Sequence, residues 1–496
     1  MLTLVSIVCT LTPFCGLAGE LTIVNASAQT LTCSIDGLNA PIHVEIRSTN
    51  KLSVPEHAPV DTNTRKPTLN YVDCGAGLRT RSMQMTADGS NRLLVFNGRQ
   101  RRVLNALLYS SIPTDPKVGF GPLVRWLTQA YQDRHPEILL NLVLDPSVDG
   151  SYDFDQIGKL LGPQGVDVAE LDTVFLKYLV DSDSILPLSP EGIDAWPVAK
   201  EAATLRGVSY GIPSWLSSDF LFSLKPEDRV TTFDQLRSFL DAGAPTRILE
   251  ADFASRWTIL ALYIQAYTQM HHSRSATDAI THMVDSAVVT RMAQVAISCE
   301  RKDGNPCIDN RFHEADDGTV EREFNSAHAL ADIGFSERSF YLEYYAKSRA
   351  SLQLTPFPWG DDADAAHLIY VDAFVVNAHA CREDPCKDQA TQLARFMNEP
   401  DTQERIAFSL DLPAGSPARH LLPASQAFYK GPTVIQDPIY RQVQAKLFSK
   451  TLLPYPNSIT PARQYKVLTD LCDLLTAASP GWSCITPEPP ATVFQR

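Results

Sequence analysis

The sequence predicts a two-lobed α/β fold preceded by a small antiparallel β module, and three patterns carry that expectation. Short alternating runs broken by turn formers occupy residues 20–98. A strand, an amphipathic helix and a second near-continuous apolar strand follow between Val103 and Leu144, the rhythm of a parallel sheet covered by helices. A long helical stretch then interrupts the sheet before an apolar strand resumes at Leu368, as happens when crossing strands join two lobes.

Taken in order, residues 1–18 are an apolar run ending Cys15-Gly16-Leu17-Ala18, with small residues at the spacing signal peptidase reads, so a cleaved secretory signal is expected. Strands are expected at 21–24, 31–35, 42–46 and 93–96, with a polar, Pro-containing loop at 55–67. The main domain spans 102–450. It opens with a strand at 103–109, and after Pro113 a helix places Leu123, Trp126, Leu127, Ala130 and Tyr131 at helical spacing. Strands follow at 138–144 and 166–171, with a helix at 173–180. Residues 231–298 read as helical, with Ile259, Leu262, Tyr263 and Ala266 in the core. A buried strand at 368–377 and helices at 387–398 and 439–448 complete the domain. Residues 451–496 form an extension with a cysteine pair and an unstructured tail after Cys484. The topology is that of a type II solute-binding protein, whose ligand sits between the lobes.

A net charge of −14 excludes nucleic acid and anionic membrane as partners, because both need clustered Lys and Arg, and leaves a neutral or cationic small ligand. No stretch after the signal reaches the roughly 18 to 20 apolar residues of a membrane span. Removing Cys9 and Cys15 with the signal leaves an even set whose simplest pairing is between chain neighbours: Cys33 with Cys74, Cys299 with Cys307, Cys381 with Cys386, and Cys472 with Cys484. The gap from Cys381 to Cys386 is too long for a zinc knuckle and has no His pair beside it, so neither metal nor cofactor is expected. Asn25-Ala26-Ser27 is a glycosylation sequon, in keeping with secretion. No Gly-x-Ser-x-Gly elbow or phosphate-cradling glycine motif occurs. Oligomeric state is not legible.

The blocks Ala106-Leu107-Leu108-Tyr109, Leu171-Asp172-Thr173-Val174-Phe175, Tyr210-Gly211-Ile212-Pro213, Gly334-Phe335-Ser336-Glu337, Tyr370-Val371-Asp372, His420-Leu421-Leu422-Pro423-Ala424 and Pro438-Ile439-Tyr440 occur in that order. Together they resemble thiaminase I, a thiamin-cleaving family on a periplasmic-binding-protein scaffold, over about residues 102–450. The resemblance implies a cleft in which Asp172, Glu337 and Asp372, with Tyr109 and Tyr370, meet an aminopyrimidine and a cationic thiazolium. In the family, the glutamate aligned with Glu337 is the base for a cysteine nucleophile. This chain has no cysteine between Cys74 and Cys299; in the window where the thiol is expected, Ser151 aligns best and Ser147 second. Phe335 stands where the family has Tyr. The expectation is therefore a secreted protein that binds thiamin or a related pyrimidine without cysteine-dependent cleavage. The alternatives are a thiamin-cleaving transferase using Ser151 with Glu337 as base, and a generic extracellular solute binder. The plain readings are a first-turn acid for Glu337, helix and strand-end caps for Asp172 and Asp372, and core aromatics for the tyrosines.

Overall fold

The structure, a computed structural model, describes residues 19–26, 30–35, 40–45, 48–54, 68–74, 79–84, 91–96, 102–109, 111–144, 154–163, 165–189, 191–224, 230–241, 249–302, 304–309, 311–312, 318–327, 329–346, 352–382 and 384–484. The expected signal at 1–18, the loop at 55–67, the tail after Cys484, and Ser147 and Ser151 lie outside the described residues. The chain divides into two compact units, Met1–Val103 with Leu127–Val143, and Leu104–Trp126 with Leu144–Arg496.

In the first unit, strand Gly19–Ala26 pairs antiparallel with Ser48–Val54 and parallel with Asn91–Phe96. A second sheet runs Ile42–Val44, Leu31–Ile35, Thr68–Asp73, Arg79–Gln84. Alternation sets the faces: Leu21 and Ile23 are buried two residues apart, as are Cys33 and Ile35, and Cys33 is bonded to Cys74. Asn25 is also buried, and its Nδ2 donates to the Val44 carbonyl at 2.9 Å. A glycan at the Asn25 sequon would have to displace that bond and bring the side chain out of the core.

The second unit holds two larger sheets and a two-stranded pair, Thr204–Leu205 with Val208–Ser209. The larger includes strands in the order Leu422–Pro423, Ile212–Ser217, His367–Val376, Val168–Asp172, Arg102–Leu107, and Leu452–Pro454 also pairs parallel with His367–Val376. The smaller runs Leu249–Glu250, Ala331–Gly334, Phe220–Ser223, Gln353–Pro356. Strand Ile212–Ser217 leaves the first sheet through Ser218 and Asp219 and enters the second as Phe220–Ser223; the return runs from Gln353–Pro356 to His367–Val376. These two crossings define two lobes. They are bonded to each other: Ser218 Oγ donates to the Leu368 carbonyl at 2.9 Å and the Phe357 amide donates to the Asp219 carbonyl at 2.9 Å.

Every residue of His367–Val376 is buried, which explains why its sequence reads as a continuous apolar run rather than an alternating one. Phe220, Phe222, Leu354, Ile369, Val371, Leu422 and Tyr440 share one core, so strands of both sheets are packed together near the crossings. The expected helix at 173–180 is a short 3-10 turn, Thr173–Phe175, followed by helix Leu176–Asp181. An additional helix, Pro461–Ala478, is capped by Thr460 and closed by the Cys472–Cys484 disulfide. Cys299–Cys307 and Cys381–Cys386 are also joined.

Candidate functional site

Strand His367–Val376 is antiparallel to both Val168–Asp172 and Ile212–Ser217, and the registers set Asp172 and Trp215 on either side of Asp372. Because side chains alternate along a strand, Tyr370 and Asp372 share one sheet face with Glu170, Asp172 and Trp215. A bulge between Pro213 and Trp215 sets that register, and the extra residue, Ser214, donates its hydroxyl to the Asp372 carbonyl at 3.1 Å. Three carboxylates thus gather at strand positions that are direct or diagonal neighbours.

Of the residues singled out in the sequence, Asp172, Tyr370 and Asp372 come together here. Tyr109 joins through its backbone amide, which donates to Glu170 Oε2 at 2.8 Å. Asp172 does cap the following turn, with Oδ1 accepting from the Val174 amide at 2.8 Å, and so carries out its plain role from within the cluster. Glu170 and Asp219 were missed. An acid inside the apolar strand Val168–Asp172 was the available signal for Glu170; Asp219 had none, since only the crossing brings it to Tyr370, whose hydroxyl donates to Asp219 Oδ2 at 3.0 Å.

Burial shifts these acids strongly. Glu170 is pushed up to about 7 by loss of water, offset in part by the Ser214 hydroxyl and the Tyr109 amide. The Trp215 indole lies near enough to favour ionised Glu170 but is not aligned for a hydrogen bond. Asp172 is likewise pushed up to about 7 by burial against its Val174 amide bond, and Asp219 to about 7 by burial against its Tyr370 bond. Among the described residues, no Lys or Arg contributes to holding Glu170, Asp172 or Asp219 ionised. Aromatic rings rim the set: Tyr455 lies 5.4 Å from Tyr370 and Phe335 meets Tyr370 edge-on at 5.5 Å, centroid to centroid. Glu170 Oε1, Thr173 Oγ1 and the Tyr455 hydroxyl are buried without a hydrogen-bond partner. Unsatisfied buried polar atoms are costly, and these three lie beside the acid cluster, though others such as Trp359 Nε1 and Gln265 Oε1 occur elsewhere among the described residues.

Glu337 sits differently. It is the N-cap of helix Arg338–Tyr345, yet its side chain makes no capping bond and is buried, so it is not a solvated first-turn acid. The Ser336 hydroxyl lies 3.4 Å from Glu337 Oε2, and Glu337 is one of the charges that raise Tyr440 beyond the effect of its burial. Its tie to the sheet-face acids runs through Phe335, two residues earlier, whose ring abuts Tyr370. The eight described cysteines are all in disulfides. One group among the described residues has metal-ligand spacing, Asp167 with Cys381 and Cys386. Its cysteines are bonded to each other and Asp167 Oδ2 accepts from the amide and the Nδ2 of Asn105, which leaves no metal-binding set.

The raised acids determine how stability depends on pH. A carboxyl with a folded pKa near 7 and an ordinary unfolded value holds its proton in the folded state only, so its contribution is present at low pH and lost as pH rises through 7. Buried His367, pushed down to about 4 mainly by burial, acts oppositely, but only below its unfolded value near 6.5. The thermal midpoint of the ligand-free protein is therefore expected to fall from about pH 6.5 to about 8, with a shallower fall in Asp219→Asn. Melting curves that are flat or rising over that interval would contradict the assignment.

No family model matches the chain. It is 25% identical over 299 residues to thiaminase-1 from Paenibacillus thiaminolyticus, covering 57% of this chain and 69% of that protein. Its structure resembles Clostridium botulinum thiaminase I in complex with thiamin, with a TM-score of 0.60, 19% identity and coverage of 75% of this chain and 100% of that one. It also resembles a maltodextrin-binding protein from L. casei, with a TM-score of 0.53, 17% identity and coverage of 77% and 95%. The chain is thiaminase I-like, on the two-lobed α/β fold shared by type II periplasmic binding proteins and preceded by β strands.

Proposed function

We propose that this protein is a secreted binder of thiamin or a related aminopyrimidine, and that it does not cleave its ligand by a cysteine-dependent route. The observation that carries the reading is the acid set of Glu170, Asp172, Asp219 and Asp372, ringed by Trp215, Tyr370 and Tyr455. An aminopyrimidine presents N–H donors that carboxylates accept, and a thiazolium offers a fixed positive charge that carboxylates and aromatic faces attract. A bound cation would relieve the repulsion between Asp172 and Asp372 and favour the ionised forms that burial disfavours. The likeness to thiaminase I, one example of which is described in complex with thiamin, supports the choice of ligand.

Glu337 would serve as acceptor or base at the edge of this site, but a base needs a nucleophile to activate. Every described cysteine is in a disulfide, and the sequence window aligned with the family's thiol carries Ser147 and Ser151 instead. A serine hydroxyl is a much poorer nucleophile than a thiolate near neutral pH. Four disulfides support an oxidising compartment, and among the described residues no helix is long and apolar enough to cross a membrane.

Isothermal titration with thiamin and with its pyrimidine half is expected to show saturable binding of both, with thiamin tighter. Chromatography after prolonged incubation with thiamin and an excess of amine or thiol acceptor is expected to show no thiazole release. Absence of binding at millimolar thiamin would remove the reading. Thiazole release abolished by Glu337→Gln would replace it with an active transferase using a substitute nucleophile.

A further inference from the structure

We infer that Ser339, His420 and Asp437 form a positioning chain that holds Glu337 in place across the boundary between the lobes; this rests on the reading that Glu337 meets the ligand. Ser339 lies two residues after Glu337, in helix Arg338–Tyr345, which connects two strands of the smaller sheet. His420 precedes strand Leu422–Pro423 of the larger sheet. Ser339 Oγ is 2.7 Å from His420 Nδ1, and His420 Nε2 is 3.3 Å from Asp437 Oδ2. The arrangement fits the tautomer with its proton on Nε2: the serine hydroxyl donates to Nδ1 and Nε2–H donates to Asp437. Ser339 and His420 are both buried and Asp437 is partly exposed, so the hydroxyl and the imidazole that would do chemistry are the enclosed members of the set.

Each link is itself held. Asp437 Oδ1 accepts from the amides of Ile439 and Tyr440 at the start of helix Pro438–Lys446, and the His420 bond helps hold its carboxyl below the usual range despite partial burial. His420 has a left-handed backbone, φ 51°, an uncommon conformation for a histidine, held by its amide bond to the Ala407 carbonyl and by the buried Arg419 beside it. Its ring meets Tyr440 edge-on at 5.4 Å, and Tyr440 is the same residue whose ionisation Glu337 opposes. The chain therefore runs from Glu337 two residues along to Ser339 and across to His420, whose ring packs against Tyr440.

The other side of the turn is clamped too. Arg338 folds back over Gly334, where a Cβ would come within 2.7 Å of its Cγ, and its Nε lies 3.5 Å from Glu321 Oε1. Farther along the helix, the Tyr344 hydroxyl donates to Asp115 Oδ1 at 3.1 Å. With both flanks fixed, the Ser339 bond ties the turn that carries Glu337 to the opposite lobe on one side, as Phe335 does through Tyr370 on the other. Losing it would let the turn shift without unfolding the helix.

A double-mutant cycle on thiamin affinity tests this. Ser339→Ala is expected to weaken thiamin about 5- to 10-fold, the scale of one buried hydrogen bond, and to have no further effect once Glu337→Gln is present. His420→Asn, which tolerates the left-handed backbone but cannot span both partners, is expected to behave the same way. Losses that multiply in the double mutant, or no loss in Ser339→Ala, would overturn the inference. A readout independent of the ligand separates its failure from that of the binding proposal: the isotope-labelled carboxyl resonance of Glu337, identified by its disappearance in Glu337→Gln. It should move or broaden in Ser339→Ala, and an unchanged resonance would also overturn the inference. If wild type binds no thiamin, the functional reading fails and this resonance decides the positioning role alone.

Discussion

Arg419→Met should destabilise the second unit by about 3–5 kcal/mol, because it strands a buried carboxylate. Both side chains of the Arg419–Asp411 pair are fully buried, and the contact is bidentate, Nη1 to Oδ1 at 2.5 Å and Nη2 to Oδ2 at 2.8 Å. Arg419 also donates from Nε to the Pro113 carbonyl at 2.6 Å and from Nη1 to the Ile406 carbonyl at 3.0 Å, so one guanidinium ties together three chain segments. Against a typical stability of about 5–15 kcal/mol, such a loss removes a large share of the total. Replacing both partners by apolar residues, Arg419→Met with Asp411→Leu, should recover much of it, since neither charge is then left unpaired. Urea denaturation followed by circular dichroism would measure this. A single-mutant loss below about 1 kcal/mol would mean that water reaches the pair and it is worth no more than a surface bridge.

The second large effect is at Asp372. Asp172 faces it directly across the antiparallel pair, and side chains at such positions have Cβ atoms about 4.5–5.5 Å apart, close enough for like charges to repel. Asp372→Asn keeps the shape and removes one of the two acids. Thiamin affinity should fall about 10- to 100-fold, the value of a hydrogen bond to a charged group, while the thermal midpoint of the ligand-free protein rises because an unfavourable pairing is gone. Opposite signs for binding and stability distinguish a ligand site from a structural one. Titration calorimetry and melting of the same variant give both numbers; a variant that loses stability and keeps its affinity would make Asp372 a structural cap.

Much of this arrangement was legible one strand at a time. Asp372 is conspicuous in the sequence as an acid in an otherwise apolar run, and buried acids are uncommon without partners. The same rule applied to Glu170 would have found it. What local patterning could not show was register. Glu170, Trp215 and Asp372 are far apart in the chain, and the bulge at Ser214 sets which face Trp215 takes. Asp219 reads as one more polar residue in a turn until the crossing sets it under Tyr370. Strands such as Arg79–Gln84 carry too few apolar residues to announce themselves, whereas helix Pro461–Ala478 had a readable start in Thr460 followed by Pro461. The link from Glu337 to His420 joins two lobes and leaves no trace in either local sequence.

The most direct test of the central claim, that buried acids on one sheet face receive a cationic aminopyrimidine, is thiamin affinity as a function of pH. Ionised carboxyls bind the cation and protonated ones do not, so affinity should rise from about pH 5.5 to about 8 and level off once the acids near 7 are ionised. In Asp172→Asn the rise should be shallower. Affinity that is independent of pH over this interval, or equal in wild type and Asp172→Asn, would contradict the account.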